Sequence, residues 1–262
     1  MTTDRPETRV GHILYDGARF CGRGVFDELM SELPSGDELA ATALGMRLDP
    51  GGREVWQRCA IALLSPDARV WPLKTVRVIA SLGNPTAAFF GGQLVSSSPA
   101  MGPGAARGTA EMLTAIAETA MDLDDVERVS AATLDVLARS PRLGGFGVPF
   151  RAEDERMLAL RASLAGHAAE QGRFYRLHLK VGSIVAAHRG VQPNLVLTLA
   201  ALLLDLGCAP RRAGLAVALL MRPSFAAHAV EAADRDGPLL RELPPERLDY
   251  RGKAPRRIAE TR

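Results

Sequence analysis

The chain has 262 residues, of which 47% are hydrophobic and 24% are charged. This length and composition can bury a sizeable core, which excludes a disordered chain, a collagen-like chain and a disulfide-stapled miniprotein. The 32 Lys and Arg residues against 30 Asp and Glu leave a net charge of only +2. Because nucleic-acid binding draws on a broad positive field, we expect a globular protein with no nucleic-acid partner.

The cysteines and the apolar segments indicate the cellular setting. Cys21, Cys59 and Cys208 are an odd number without Cys-x-x-Cys spacing, and no two histidines have the spacing of metal ligands. We therefore expect neither disulfides nor a metal. The most apolar run, residues 195–204, is about half the roughly 20 residues that a membrane span needs, and the charged residues 1–9 do not resemble a secretion signal. These features favour a cytoplasmic protein that does not contact a membrane.

The predicted elements begin with a short β ribbon. Residues 9–25 mix β-prone pieces with turn residues, including Asp16-Gly17, which is typical of a hairpin. From Phe26 onward apolar residues recur at helical spacing, so the rest of the chain is predicted to be mainly α. The helices are predicted before and after the Pro34–Gly36 break, over 53–64 and 73–82, around 112–120 and 126–140, and at about 153–171, 174–189, 193–206, 212–222 and 224–235.

Two stretches differ in composition from these helical segments, and the second of them, a loop, interrupts the helices. Residues 83–108 are rich in Gly, Pro, Ser and Ala, and such small residues permit close approach of two helices or of a ligand. The loop at 142–150 holds several glycines, whose tight turns and exposed N–H groups suit either nucleotide binding or a simple corner. The Pro- and Arg-rich tail, 236–262, is long enough to reach over a neighbouring subunit in an oligomer.

Single residues give few signals of chemistry. G-x-S-x-G, P-loop and G-x-G-x-x-G motifs are absent from the sequence, so nucleophile-elbow hydrolases and P-loop enzymes are unsupported. His228 and Glu231 can share a helical face, either as a pair at a site or as a helix-surface contact. Arg156 and Arg222 each follow a loop or end an apolar helix. Their guanidinium groups could clamp a carboxylate through two hydrogen bonds, or serve as surface or capping groups.

Five segments, in this order along the chain, resemble the citrate synthase and citryl-CoA lyase superfamily. Residues 99–113 look like the family's P-x-H-G-G turn and the helix after it, and 145–156 are similar to its G-[FY]-G-H-P…D-P-R loop. Residues 193–196 are similar to P-N-[VI]-D. Residues 220–231 resemble S-R-x-x-G-x-x-A-H-x-x-E, and 250–252 resemble the closing Y-x-G. The resemblance covers nearly the whole chain.

This resemblance implies a citrate synthase-like multi-helical fold and a homodimer. It also implies binding of a coenzyme A thioester beside a small polycarboxylate, and chemistry that joins or splits a C–C bond at the thioester α-carbon. The length fits the short, lyase-like branch. Residues 1–262 are then expected to form a single citrate synthase-like unit, with roughly 142–222 as the smaller helical lobe.

The three positions that carry this chemistry in the family are substituted here. Met101 stands at the first histidine position, Val148 at the second and Val196 at the aspartate. Valine cannot donate a hydrogen bond or carry a proton, and methionine offers only a weak acceptor. Since the loss of one oxyanion donor slows a reaction by about 100- to 1,000-fold, the family's standard citrate chemistry is not expected. His12 and His167 have no histidine between them, so no shift of register recovers either one.

The resemblance places other site residues at positions that keep their chemistry. Arg156 aligns with the D-P-R arginine and Arg222 with a second arginine that grips a substrate carboxylate, while Arg247 could replace the arginine that some members supply across the dimer. Asn194 and His228 are expected to line the site. The residues expected to contact coenzyme A lie on one loop: Gly145, Phe146, Gly147, Pro149 and Arg151.

Three classes of function stay open at this point. One is an acyltransferase or CoA-ester lyase with changed chemistry, in which Ser97 and Ser98, just before Met101, are weak candidates for proton transfer. Another is a catalytically inactive family member that senses a ligand or pairs with an active paralogue. The third is a helical interaction protein with no small ligand.

Overall fold

The computed structural model describes residues 8, 10–14, 17–46, 48–64, 67–98, 101–140, 144–148, 152–235, 237, 239–240, 242, 244–249 and 251–253. Its N-terminal part confirms the predicted β ribbon. Strands β1 (Gly11–Leu14), β2 (Gly17–Phe20) and β3 (Arg23–Gly24) form an antiparallel sheet in the order β1-β2-β3, and Leu14 pairs with Gly17 at the tight end. A π-helical turn, Val25–Leu29, follows the sheet.

The rest of the described chain is mainly α-helical, as predicted. The helices are α1 (Met30–Glu32), α2 (Gly36–Ala43), α3 (Pro50–Ala62), α4 (Trp71–Ala80), α5 (Pro85–Ser96), α6 (Gly102–Ala120), α7 (Val126–Arg139), α8 (Glu155–Ser163), α9 (Arg173–Arg189), α10 (Leu195–Asp205), α11 (Ala213–Leu220) and α12 (Arg222–Arg235). Short polar side chains accept the first free N–H groups of many of them. These caps are Ser35, Asp49, Asn84, Asp125, Asp154 and Asn194.

Most of the core lies around α6 and α10. Every residue of α10 is buried except Val196 and Asp205, which explains why its sequence is apolar on all sides. This helix packs on α6 and α9, and α11 also packs on α6. The expectation that residues 142–222 form a smaller lobe stays a prediction. The buried hydrophobic residues of that stretch belong to this main core.

A second, smaller core joins α4, α5 and α12 around Phe225. The helices approach closely there, because a Cβ atom on Gly92 would lie 2.1 Å from Val76 Cγ2 and 2.7 Å from Phe225 Cδ1. Small residues of 83–108 therefore serve helix packing at this point, which is one of the two roles expected of them.

Several helix boundaries differ from the sequence predictions. Helix α5 (Pro85–Ser96) lies within 83–108, where no helix was predicted, and α6 begins at Gly102 rather than near residue 112. The helix expected over 153–171 ends at Ser163, and a 3₁₀ turn follows over Ala168–Gln171, because the His167 ring accepts the N–H of Ala169 and caps a new start. The break expected before residue 224 lies instead at Met221, so Ser224 is inside α12.

Within the described ranges, one helical stretch, 210–235, is long and apolar enough to cross a membrane by length and composition alone. Half of its apolar window is buried against the other helices. Packing inside the helical core thus accounts for its composition.

Candidate functional site

The loop 144–148 lies against the start of α10. The N–H of Gly147 donates to the Gln192 carbonyl at 2.8 Å, and the N–H of Asn194 donates to the Gly145 carbonyl at 2.9 Å. The Asn194 side chain donates to the Gly147 carbonyl at 3.0 Å and accepts the N–H of Val196 at 3.0 Å. Asn194 therefore caps α10 and fixes the loop at the same time. The predicted site residues brought together here are Gly145, Phe146, Gly147, Val148, Asn194 and Val196.

The loop also presses against α6. Gly145 is buried with φ of +83°, and a Cβ atom on it would lie 3.1 Å from both Leu197 Cβ and Thr109 Cγ2. A Cβ on Gly144 would lie 2.8 Å from the Ala105 carbonyl oxygen. Glycine is required at this corner because a larger residue would push the loop away from the two helices. The tight turn predicted from the glycines is present.

Asp154 connects this loop region to two helix starts. Its carboxylate caps α8 by accepting the N–H of Arg156 at 3.1 Å, and it also accepts the N–H of Leu195, in the first turn of α10, at 3.0 Å. Burial disfavours the charged form of Asp154, but the Arg156 guanidinium and the Leu195 amide outweigh it. Together they hold the pKa of this carboxyl below its usual range.

Each of the two arginines aligned with carboxylate-binding positions contacts a carboxylate of this chain. Arg156 forms two hydrogen bonds with Asp154, at 3.0 and 2.9 Å. Arg222 donates to the Leu219 carbonyl at 2.8 Å and to Asp37 at 3.2 Å. Asp154 is buried, whereas the Asp37 and Arg222 side chains are 45% and 40% exposed. Whether either arginine also holds a ligand stays a prediction.

Met101 lies where the chain enters α6. It is half-buried, and its N–H donates to the Ser98 carbonyl at 3.2 Å. A Cβ on the next residue, Gly102, would lie 3.7 Å from the sulfur of Met221, which places this turn beside the junction of α11 and α12. Ser97 is exposed and Ser98 is half-buried. Arg222 directly follows Met221 in the chain, and its guanidinium contacts Leu219 and Asp37.

The remaining predicted residues lie in other places. His228 is buried in α12, and the main partner of Glu231 is Arg77 of α4, at 2.6 Å. That ion pair lowers the pKa of Glu231, with a smaller contribution from His228. Arg247 is exposed in a 3₁₀ turn of the tail, Pro245–Arg247. Pro149 and Arg151 lie outside the described residues.

Sequence reasoning missed three residues of this region: Thr109, which underlies the loop, Met221, which lies beside Met101, and Asp37, which binds Arg222. Asp37 and Arg222 are 185 residues apart, and no local pattern links them. In the part of the chain that the structure describes, no group of three or more His, Cys, Asp or Glu residues could hold a metal ion.

No family model matches this sequence, and no curated protein matches it. Several solved structures, however, match its fold. The citryl-CoA lyase from Hydrogenobacter thermophilus matches with a TM-score of 0.77 and 17% identity over 96% of each chain. The ATP citrate lyase from Methanothrix soehngenii, in complex with citrate and coenzyme A, matches with a TM-score of 0.71 and 15% identity over 95% of this chain and 42% of that one.

The citrate synthase from Thermotoga maritima matches with a TM-score of 0.62 and 19% identity, over 85% of this chain and 58% of that one. The protein therefore has the citrate synthase and citryl-CoA lyase superfamily fold, as the sequence resemblance predicted. At these identities the likeness establishes the fold and leaves function to be argued from the site.

Proposed function

We propose that this protein binds a coenzyme A thioester, with a small (poly)carboxylate beside it, where the loop 144–148 meets the starts of α6 and α10. The observation that carries the proposal is the fold likeness to citryl-CoA lyase over 96% of both chains. The structurally similar ATP citrate lyase holds citrate and coenzyme A. Three of the resembling segments, 99–113, 145–156 and 193–196, are in contact with one another, which supports the same site.

The loop is suited to a nucleotide-containing ligand. A Cβ atom on Gly147 would meet no described atom within 4 Å, so this side of the loop is open to a ligand. Asn194 and Gln192 hold the backbone of the loop in place. A backbone that is already fixed loses little conformational entropy when a ligand binds, and this favours affinity. Gly145, Phe146 and Gly147 would contact coenzyme A, together with Pro149 and Arg151.

The carboxylate half of the site rests on Arg222 more than on Arg156. Arg156 is committed to Asp154, a buried group that also holds two helix starts. Arg222 bonds Asp37 through one hydrogen bond at a half-exposed position, and such pairs are worth about 0–1 kcal/mol. A ligand carboxylate can therefore replace Asp37 on Arg222. Arg247, His228 and Asn194 are further candidates for lining the site.

The chemistry is altered relative to the C–C bond forming or cleaving acyltransferases and lyases of this fold. Met101, Val148 and Val196 cannot polarise a carbonyl oxygen or move the α-proton. A second candidate function is therefore a catalytically inactive member that senses the thioester or serves as the partner subunit of an active paralogue. The same three substitutions favour it. In either role we expect the protein to act in the cytoplasm.

A homodimer is also part of the proposal. Helix α5 turns Phe90 and Leu94, which are 60% and 78% exposed, to the same side at a spacing of four residues. Large apolar side chains grouped on one helix face are typical of a subunit interface. Burying this face against a second copy would remove that apolar surface from water.

Binding of coenzyme A to the purified chain, measured by titration calorimetry, tests the proposed function. We expect saturable binding that weakens at least tenfold in Phe146→Ala and is unchanged in Phe26→Ala, a matched change at an exposed phenylalanine of the π-helical turn Val25–Leu29. Absence of heat with both coenzyme A and acetyl-CoA, in a protein shown to be folded, would overturn the proposal.

A further inference from the structure

The contact between Asp37 and Arg222 places a carboxylate of the chain on a guanidinium that the sequence resemblance assigns to ligand binding. Asp37 Oδ1 accepts a hydrogen bond from Arg222 Nη2 at 3.2 Å. The two side chains are 45% and 40% exposed, so a carboxylate from solution has access to the same guanidinium. A ligand carboxylate and the carboxylate of Asp37 therefore compete for one cation.

Arg222 does not depend on Asp37 for its orientation. Its Nε–H donates to the Leu219 carbonyl of α11 at 2.8 Å. This bond fixes the guanidinium at the junction of α11 and α12 whichever carboxylate lies on Nη2. Asp37 thus adds a negative charge at this position but is not required to build it.

Helix α2 holds Asp37 in place independently of Arg222. Ser35 caps the helix, and Glu38 completes the capping box by accepting the N–H of Ser35 at 2.9 Å. Glu38 also forms an ion pair with Arg53 of α3 at 2.8 Å. Because these contacts fix the first turn of α2, the Asp37 carboxylate is attached beside Arg222 at a high effective concentration.

We infer that Asp37 is a specificity-determining residue, which competes with the ligand carboxylate for Arg222 and selects against ligands of high negative charge. This inference rests on the proposed function, because it concerns the carboxylate bound at the same arginine. After a ligand has replaced it on Arg222, Asp37 stays nearby on α2, and its charge repels each further carboxylate of the ligand. The loss of affinity therefore increases with the number of ligand carboxylates and decreases with salt.

Titration of the full chain with citrate, which has three carboxylates, and with malate, which has two, tests the inference. Asp37→Asn keeps an oxygen acceptor for Arg222 and removes the charge. At low ionic strength we expect this variant to bind citrate about threefold to fivefold tighter than the wild-type protein, with a smaller gain for malate. Both gains should disappear at about 1 M NaCl, whereas an effect of helix geometry would not depend on salt.

Two further variants locate the effect. Asp135→Asn removes the same charge from an exposed ion pair with Arg139 on α7 and should leave both affinities unchanged. Arg222→Gln should abolish the binding of both acids.

The outcomes separate this inference from the proposed function. Citrate binding that is lost in Arg222→Gln, but is unchanged or weaker in Asp37→Asn, would overturn the inference and leave the proposed function standing. Citrate binding that persists in Arg222→Gln would also overturn the inference. Failure of all these proteins to bind either acid would overturn both the inference and the carboxylate half of the proposed function, whose thioester half is tested separately with coenzyme A.

Discussion

Asp154 accepts a hydrogen bond from the backbone N–H of Leu195, 41 residues away, at 3.0 Å. The same carboxylate caps α8 and binds the Arg156 guanidinium. One buried side chain thus holds the start of α8 and the start of α10 together, next to the loop 144–148. This contact fixes the geometry of the proposed site.

Replacing this carboxylate should destabilise the protein. We expect Asp154→Asn to lower the free energy of unfolding by about 2 kcal/mol at pH 7, because the buried network loses its negative charge and one of its two acceptor oxygens. The folded-state pKa of Asp154 is depressed, so its contribution is complete above its ordinary pKa of 3.8 and is lost as the pH falls through the folded value. Urea unfolding of the wild-type protein and of Asp154→Asn should show a difference in unfolding free energy that becomes smaller below about pH 4.

The neighbouring exposed carboxylate provides the control for that experiment. Glu153→Gln removes the same charge one residue earlier and should change the unfolding free energy by less than about 0.5 kcal/mol. Equal stability of Asp154→Asn and the wild-type protein at pH 7 would contradict the role given to Asp154.

The buried His178 should make stability depend on pH below neutrality. Burial lowers its pKa from 6.5 to about 4 in the folded protein, where the ring lies between the Tyr175 carbonyl and the Thr198 hydroxyl. The unfolded chain binds a proton below pH 6.5 and the folded chain does not, so stability falls by up to about 3 kcal/mol between pH 6.5 and 4. His178→Leu should flatten this part of the pH profile measured by denaturant unfolding.

A histidine on the surface provides the control for the effect of His178 on the pH dependence of stability. His188 is exposed near the end of the same helix, α9, and His188→Leu should keep the wild-type slope. If His178→Leu loses stability with falling pH as steeply as His188→Leu does, then His178 is not the group responsible.

The exposed face of α5 should determine the oligomeric state. We expect the wild-type chain to be a dimer by light scattering coupled to size-exclusion chromatography, and Leu94→Glu to be a monomer, since a buried unpaired charge is costly at an apolar interface. Leu215→Glu changes an equally apolar, 57% exposed side chain on α11 and should leave the dimer intact. A wild-type monomer at micromolar concentration would refute the proposed interface.

Proton transfer at the thioester α-carbon should be absent. Incubation with acetyl-CoA in D₂O, followed by mass spectrometry, should show no deuterium uptake at the methyl group above the protein-free rate, because Val196 occupies the position that the sequence resemblance assigns to the base. Uptake above that rate, lost in a Ser98→Ala variant, would instead assign proton transfer to the serine turn before α6.

The sequence was sufficient to predict the fold, but less of the site. Helical spacing, the Asp16-Gly17 turn and the all-apolar α10 segment are local signals, and the ribbon and the buried helix agree with them. The glycines of the loop likewise predicted its tight turn. The partner of Arg222 was not predictable in this way, because its pairing with Asp37 depends on tertiary packing across 185 residues.

The most direct test of the proposed site is amide hydrogen exchange of the full chain with and without coenzyme A, followed by mass spectrometry. We expect slower exchange on ligand addition in peptides that cover 144–148 and the start of α10, with little change along the exposed side of α12. Unchanged exchange at 144–148 at saturating ligand, or protection confined to α12, would contradict it.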